Sequence, residues 1–299
     1  MKFLLILLLL IHLGAMSSSY AIEQSNLPTQ EMVYRYWDWD ITPERAAYQL
    51  DVLKLALEKT KDDWGGYRII RQVEKYSGLR AQRAILEGKL LNLHAAPLHP
   101  VAPSNPLHKK ITIEIPLMKS LLGYRQLIIR RSDYEKFRAI KDEAELKELV
   151  VGQGSDWADL EILRHNGYRA TDSEYYNLIS MLLAKRFDYL SMGVIETGGA
   201  MTQLRESDEL MVLPKLLIYY PLPTFFHVSP AYPELAARLE QGMKRISEDG
   251  SLEALFYQHF AQQIQKMRDE NPRVFILENP AIDAAMGLNE PLLLKPQKQ

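Results

Sequence analysis

The hydrophobic positions of the first hundred residues alternate between strand-like and helix-like spacing. Short apolar and aromatic runs at 32–36, 67–73 and 90–95 predict three β-strands. Between them, apolar residues at helical spacing predict a helix that begins at Thr42-Pro43 and a second helix over 79–87. This order of strand, helix, strand, helix, strand indicates a parallel sheet with helices on its faces.

A second α/β unit follows a proline-rich loop at 97–106. Further strands are predicted at 111–115, 124–130, 149–152, 168–171, 187–192, 210–213 and 216–220, with helices after Gly154 and after Ser173. Two amphipathic helices over 232–246 and 252–267 come next, and a tail at 269–299 with four prolines is predicted to lie over the surface as an extended strap. The pattern as a whole predicts the α/β class.

The N-terminus has the order of a secretory signal peptide. Lys2 supplies a positive charge, an apolar run follows over 3–13, and small residues lead to Ala21. The apolar run is shorter than the roughly 20 residues of a membrane-spanning helix. We therefore expect residues 1–21 to be removed and the mature protein to be exported to the periplasm. A buried N-terminal helix and an uncleaved anchor are the alternatives.

Composition excludes several kinds of function. The chain contains no cysteine, which excludes disulfides, a thiolate nucleophile, a cysteine-bound metal and lipidation of an N-terminal cysteine. The formal net charge is −2 and the basic residues are spread along the chain, whereas nucleic-acid binding requires a concentrated basic face. We therefore expect a protein free in solution, a monomer that does not bind nucleic acid.

Three stretches resemble a known family. Leu146–Ser155, Leu182–Tyr189 and Ser229–Ser251 are similar to the start of the second lobe, a short helix followed by a basic residue and Asp, and the return helix of the family 3 extracytoplasmic solute-binding proteins. These proteins have the type II periplasmic binding fold and serve polar amino-acid uptake systems. The resemblance spans most of residues 30–265.

The resemblance implies a two-lobed type II fold with two hinge crossovers and C-terminal helices. Residues 22–130 and 221–299 would form lobe one, and residues 131–220 lobe two, with the crossovers at 124–130 and 216–227. Such a protein closes around a small polar solute of amino-acid type and delivers it to an inner-membrane ABC transporter. The alternative is a binding module that reports to a membrane sensor without transport. We expect no catalysis, and an enzyme on the same fold, such as a dehydratase, ranks third.

The sequence departs from the family at the ligand's charged groups. Relatives carry an arginine after the third strand that clamps the ligand's α-carboxylate, but residues 97–110 contain none. Arg125, near the first crossover, is a candidate replacement because a guanidinium pairs with a carboxylate through two hydrogen bonds. The usual aspartate for the ligand's amine is also missing, and Glu196 is the nearest acid.

The other candidate ligand-binding residues follow predicted strands, because ligands of open α/β sheets bind beyond the carboxyl ends of the strands. Tyr36, Trp37 and Trp39 follow the first strand and offer aromatic faces for stacking, with core packing as the alternative. Gly154 and Ser155 precede a helix, where free N–H groups attract an anion. A simple helix cap by Ser155 is the alternative there.

No metal or cofactor is predicted. His94, His99 and His108 lack the spacing that would place two imidazoles on one helix face, and prolines surround two of them. The chain has no Gly-x-Ser-x-Gly motif for a nucleophilic serine. Asp188 is interpreted as a structural residue.

Overall fold

A computed structural model of the chain describes residues 31–38, 42–98, 109–199, 208–282 and 291–294. The predicted signal peptide, Trp39, His99 and His108 lie outside the described residues. None of the helices in the described ranges combines the length and apolarity needed to span a bilayer.

The strands, numbered in chain order, are β1 (Met32–Trp37), β2 (Tyr67–Gln72), β3 (Leu93–Pro97), β4 (Ile111–Ile113), β5 (Tyr124–Arg130), β6 (Val150–Gly154), β7 (Arg169–Ser173), β8 (Tyr189–Gly193), β9 (Leu210–Tyr219), β10 (Thr224–Val228) and β11 (Arg273–Ile276). The helices are α1 (Pro43–Glu58), α2 (Lys61–Trp64), α3 (Gly78–Glu87), α4 (Tyr134–Arg138), α5 (Glu143–Lys147), α6 (Ala158–His165), α7 (Tyr175–Leu183), α8 (Pro233–Glu248) and α9 (Ser251–Glu270).

The strands form two sheets in the described residues. The first has the order β2-β1-β3-β10-β4, in which β1 runs parallel to β2 and β3 while β10 is antiparallel to its two neighbours. The second has the order β11-β9-β5-β8-β6-β7, in which β6 is parallel to β7 and β8 while β5 is antiparallel to β8 and β9. The predicted parallel arrangement of the first three strands is confirmed.

In the described residues the chain passes between the sheets three times: after β4, between β9 and β10, and between β10 and β11. The two strands predicted at 210–213 and 216–220 form the single strand β9. Pro214 interrupts the sequence pattern, but here Lys215 adopts a left-handed conformation with φ of 60° and the pairing with β5 shifts register. A bulge therefore absorbs the proline within a continuous strand.

The tail contributes a strand to the second sheet. β11 runs parallel to β9, with Arg273 opposite Leu216. The segment was expected to lie in lobe one as a surface strap, and the strand is a correction: its four residues are too few to carry a periodic signal. Asn279 then donates from Nδ2 to the carbonyl of Pro221, at 2.7 Å, within the connection between β9 and β10. The tail thus packs against the crossing between β9 and β10.

A buried arginine and a partly buried aspartate stabilise the fold. Arg238, on α8, is fully buried and donates hydrogen bonds to Thr60 Oγ1 and to the carbonyls of Leu57, Gly65 and Gly66. These bonds join α8 to the C-terminal end of α1 and to the turn before β2.

Asp188 has the structural role that its sequence context indicates. Its Oδ2 accepts from the backbone N–H of Val150 at 2.8 Å, and its Oδ1 accepts from Lys136 Nζ at 2.9 Å. Partial burial alone would raise the pKa of the carboxyl, but these two hydrogen bonds, together with the positive charges of Lys136 and Arg130, outweigh it and hold the pKa below its usual value. The carboxylate therefore ties the start of β6 to the segment before β8.

Candidate functional site

A cavity of about 350 Å³ lies where the carboxyl ends of the parallel strands of both sheets meet. One wall is formed by residues at or beyond the ends of β1, β2 and β3, and the other by residues beyond β6, β7 and β8. This is the position at which open α/β sheets bind ligands. The lining residues used below are Trp37, Arg45, Gln49, Lys75, Tyr76, Arg80, Gln82, His94, Arg125, Gly154, Ser155, Asp156, Trp157, Asp159, Glu174, Tyr175, Tyr176 and Glu196.

Around the cavity, helices and loops that flank the first sheet contact those that flank the second. At one side, the backbone N–H of Leu79 at the start of α3 donates to Asp156 Oδ2 at 3.4 Å. Nearby, Lys75 Nζ lies 5.3 Å from the ring centroid of Tyr176. The salt bridge between Arg45 and Glu196 joins α1 to the turn after β8. The two walls are therefore in direct contact around the cavity.

A buried arginine sits at the base of the cavity. Arg125, only 1% exposed, donates to the carbonyls of Leu122 and Ser191 at 3.0 and 3.2 Å. Its Nη2 lies 2.9 Å from Asp159 Oδ1, and its Nη1 lies 3.7 Å from Glu196 Oε2. Each terminal nitrogen thus faces one carbonyl and one carboxylate. The guanidinium has no free pair of N–H groups with which to clamp the carboxylate of a ligand.

The two carboxylates that face Arg125 have further partners. Glu196 Oε1 forms a salt bridge of 2.5 Å with Arg45 Nη1, and its Oε2 accepts from the backbone N–H of Gly193 at 3.0 Å. Asp159 Oδ1 accepts from the hydroxyl of Tyr220 at 2.5 Å. Burial raises the pKa of Tyr220 well above its usual value, so the phenol stays protonated and donates. Glu196 is therefore already engaged and is not a free acceptor for a ligand amine.

Aromatic rings line both walls. On the first, the ring of Trp37 lies 6.5 Å from that of Tyr76 and 6.3 Å from that of His94. On the second, the ring of Trp157 lies 6.1 Å from that of Tyr175. Trp157 also packs over Gly154: a Cβ added at Gly154 would lie 2.5 Å from its Cε2 atom.

Five of the seven candidate residues line the cavity: Trp37, Arg125, Gly154, Ser155 and Glu196. Their contact with a ligand stays a prediction. Tyr36 is a correction, because its side chain is 1% exposed in the core and its hydroxyl donates to Gln49 at 3.3 Å. Side chains alternate between the two faces of a strand, so Tyr36 and its neighbour Trp37 point opposite ways. Trp39 lies outside the described residues.

The turn at Gly154 and Ser155 fits neither the predicted anion site nor the alternative of a helix cap by Ser155. The backbone N–H of Ser155 donates to the carbonyl of Ser173 at 3.0 Å, so it is not free to hold an anion. The residue that caps α6 is Trp157, and no side chain caps this helix. Ser155 is therefore an exposed residue at the rim of the cavity, and the prediction of a serine cap is wrong.

Several lining residues were not among the predicted candidates. Trp157, Glu174 and Tyr176 follow β6 and β7, so the rule that found Trp37 extends to them. Gln49 and Gln82 lie on helices and carry no comparable signal. Within the described ranges, no group of three or more histidines and acids is placed to hold a metal ion.

Comparison with solved structures gives matches over most of the chain. One is a histidine kinase sensor domain with similarity to periplasmic binding proteins, with a TM-score of 0.53, 15% identity, and coverage of 76% of this chain and 94% of that one. Another is the substrate binding protein of an amino acid ABC transporter, with a TM-score of 0.51, 12% identity, and coverage of 77% and 99%. A third is an ancestral arginine-binding protein bound to glutamine, with a TM-score of 0.53, 11% identity, and coverage of 76% and 97%.

No protein-family model matches the sequence, and no curated protein matches it. At identities of 11–15%, the likeness to solved structures concerns the backbone alone. The expected architecture is confirmed, and the chain has the fold of the type II periplasmic binding proteins.

Proposed function

We propose that this protein is a solute-binding protein that closes around a small polar solute and delivers it to an inner-membrane ABC transporter. The observation that carries the proposal is the cavity enclosed between the carboxyl ends of two sheets, with lining residues from both. The similar structures that serve amino acid ABC transport support it. The buried carboxylates of the cavity, paired with Arg45 and Arg125, favour binding over general acid–base chemistry.

Motion between two lobes is part of this proposal. The part of the chain built on the first sheet would move relative to the part built on the second sheet, which includes β5 and β11, about the segments that connect the two sheets. A ligand held by both walls binds the closed form more tightly than the open one, and this difference in affinity shifts the population toward closure. A transporter then recognises the closed shape.

Export is the other part. The predicted signal peptide would direct a monomeric protein to the periplasm, with Ile22 as its first residue. N-terminal sequencing of the exported product tests this. A product that retains Met1, or that is recovered in the membrane fraction, contradicts it.

The direct test combines native mass spectrometry with small-angle scattering. We expect a small molecule to be retained on the purified protein, and its removal to increase the radius of gyration. Ser155→Trp places a bulky ring at the rim of the cavity and should abolish retention. Ser132→Trp is the matched control, because Ser132 is exposed at the far end of β5. Equal retention by both variants, or a shape that is independent of ligand, contradicts the proposal.

Sensing is the second candidate, favoured by the similarity to a histidine kinase sensor domain. Uptake of the retained molecule by cells that lack the protein distinguishes the two roles. Lost uptake supports transport, whereas normal uptake with a lost transcriptional response supports sensing.

A further inference from the structure

The charged side chains that line the cavity balance one another. The basic ones are Arg45, Lys75, Arg80 and Arg125, and the acidic ones are Asp156, Asp159, Glu174 and Glu196. The four most buried of these form one connected cluster, because Glu196 faces both arginines and Arg125 also faces Asp159. A charged ligand group would therefore have to displace a partner that is already in place. Displacement leaves a buried charge unpaired, which is costly.

Two tyrosine rings of the cavity already face cations of the chain. The guanidinium of Arg80 lies 4.7 Å from the ring centroid of Tyr76, and Lys75 Nζ lies 5.3 Å from that of Tyr176. The indole rings of Trp37 and Trp157 line opposite walls and offer flat surfaces on which a planar ring can pack.

Two amides add neutral hydrogen-bonding capacity. Gln49 and Gln82 are 5% and 6% exposed and line the cavity. Among the described residues, Gln49 Nε2 and Gln82 Oε1 have no hydrogen-bond partner, and neither has Arg125 Nε. Buried polar atoms normally find partners. These atoms supply two donors and one acceptor, which suits an uncharged polar group such as a carboxamide and gives a carboxylate no paired clamp.

Resting on the proposed function, we propose that the solute is an uncharged planar ring compound that carries an amide-type polar group and no free carboxylate. The ring lies between the walls that contain Trp37 and Trp157, and the polar group meets the glutamine amides. Glu196 and Asp159 then act as specificity determinants, because they neutralise the arginines that would otherwise attract an anion.

Isosteric pairs test this inference, because each differs in one charge at nearly constant shape. The probes are nicotinamide with nicotinate, and indole-3-acetamide with indole-3-acetate, titrated calorimetrically into the wild-type protein freed of retained molecules. We expect the amide of at least one pair to bind about tenfold or more tightly than its acid, because the acid would bury an unpaired charge. An acid that binds as tightly as its amide overturns the inference.

A variant sharpens the test. Glu196→Gln should raise the affinity for the acid by about tenfold, because it removes the negative charge that Arg45 and Arg125 share, and should leave the affinity for the amide within about threefold. Glu240→Gln, at an exposed carboxylate of α8 that does not line the cavity, is the control and should change neither affinity by more than about threefold. If no probe binds, the inference fails. The proposed function is tested separately, and it fails if no molecule is retained on the native protein.

Discussion

The close packing of Trp157 on Gly154 leads to a prediction whose size follows from the structure. An added Cβ at Gly154 would lie 2.5 Å from Cε2 and 2.6 Å from Nε1 of the indole, whereas carbon atoms in contact prefer about 3.5 Å. The ring must therefore move by about 1 Å in Gly154→Ala. The backbone at this position does not have a positive φ, so the effect of alanine is steric. Overpacking of this kind costs about 1–3 kcal/mol of unfolding free energy.

Chemical denaturation followed by circular dichroism measures this loss, because that signal does not depend on the tryptophan. Gly66→Ala is the matched control: its added Cβ meets nothing within 4 Å, and the change should be below about 1 kcal/mol. In a Trp157→Ala background the Gly154→Ala substitution should cost less than about 0.5 kcal/mol, because the clash is gone. A similar loss with and without the indole would refute the packing explanation.

Three further predictions concern the fold and the site. Arg238→Met should cost about 2–4 kcal/mol of unfolding free energy, because it leaves buried carbonyls without donors, whereas the same substitution at half-exposed Arg245 should cost less than about 1 kcal/mol. Denaturation curves of the two variants measure these losses, and equal losses would contradict the role of the buried arginine. Asp188→Asn should lower the unfolding free energy by about 1–2 kcal/mol at neutral pH. Because the pKa of Asp188 is lowered in the folded state, the difference in stability between wild type and variant should be lost progressively as pH falls below about 4. A constant difference across a pH series of denaturation curves would contradict this. Trp37→Ala should weaken ligand binding by about 1–3 kcal/mol if the ring packs on the solute, and unchanged calorimetric affinity in a folded variant would exclude that contact.

The sequence predicts most of the fold because each element carries its own periodic signal. The limits of β5 agree with the prediction over Tyr124–Arg130, where the apolar run Leu127–Ile129 lies between a glycine at 123 and the arginines at 130 and 131. The errors occur where a local signal is ambiguous. Pro214 has the appearance of a break in the sequence, but a bulge accommodates it, and the partner of β11 lies 57 residues earlier in the chain, at β9.

The candidate site is predictable in position but not in its electrostatics. The rule that ligands bind beyond the carboxyl ends of strands leads to Trp37, Gly154 and Glu196, all of which line the cavity. The pairing of Arg125 with Asp159 joins residues 34 positions apart, on β5 and α6. No spacing in the sequence specifies that pair, so an arginine near the crossover has the appearance of a free clamp until its partners are located.

The glycines of β6 illustrate a sequence pattern that fits either an anion site or the close approach of another group. A glycine that holds an anion needs a backbone N–H beyond the last residue of the strand ladder. Gly154, however, is still paired in register with Ser173, and the N–H of Ser155 also donates to that residue. Gly152 and Gly154 share one face of the strand, and added Cβ atoms there would collide with Phe187 and Trp157. Glycine inside a strand marks a close approach by another group. Here that group is an aromatic ring, so this wall of the cavity offers apolar surface where the sequence pattern indicated an anion site.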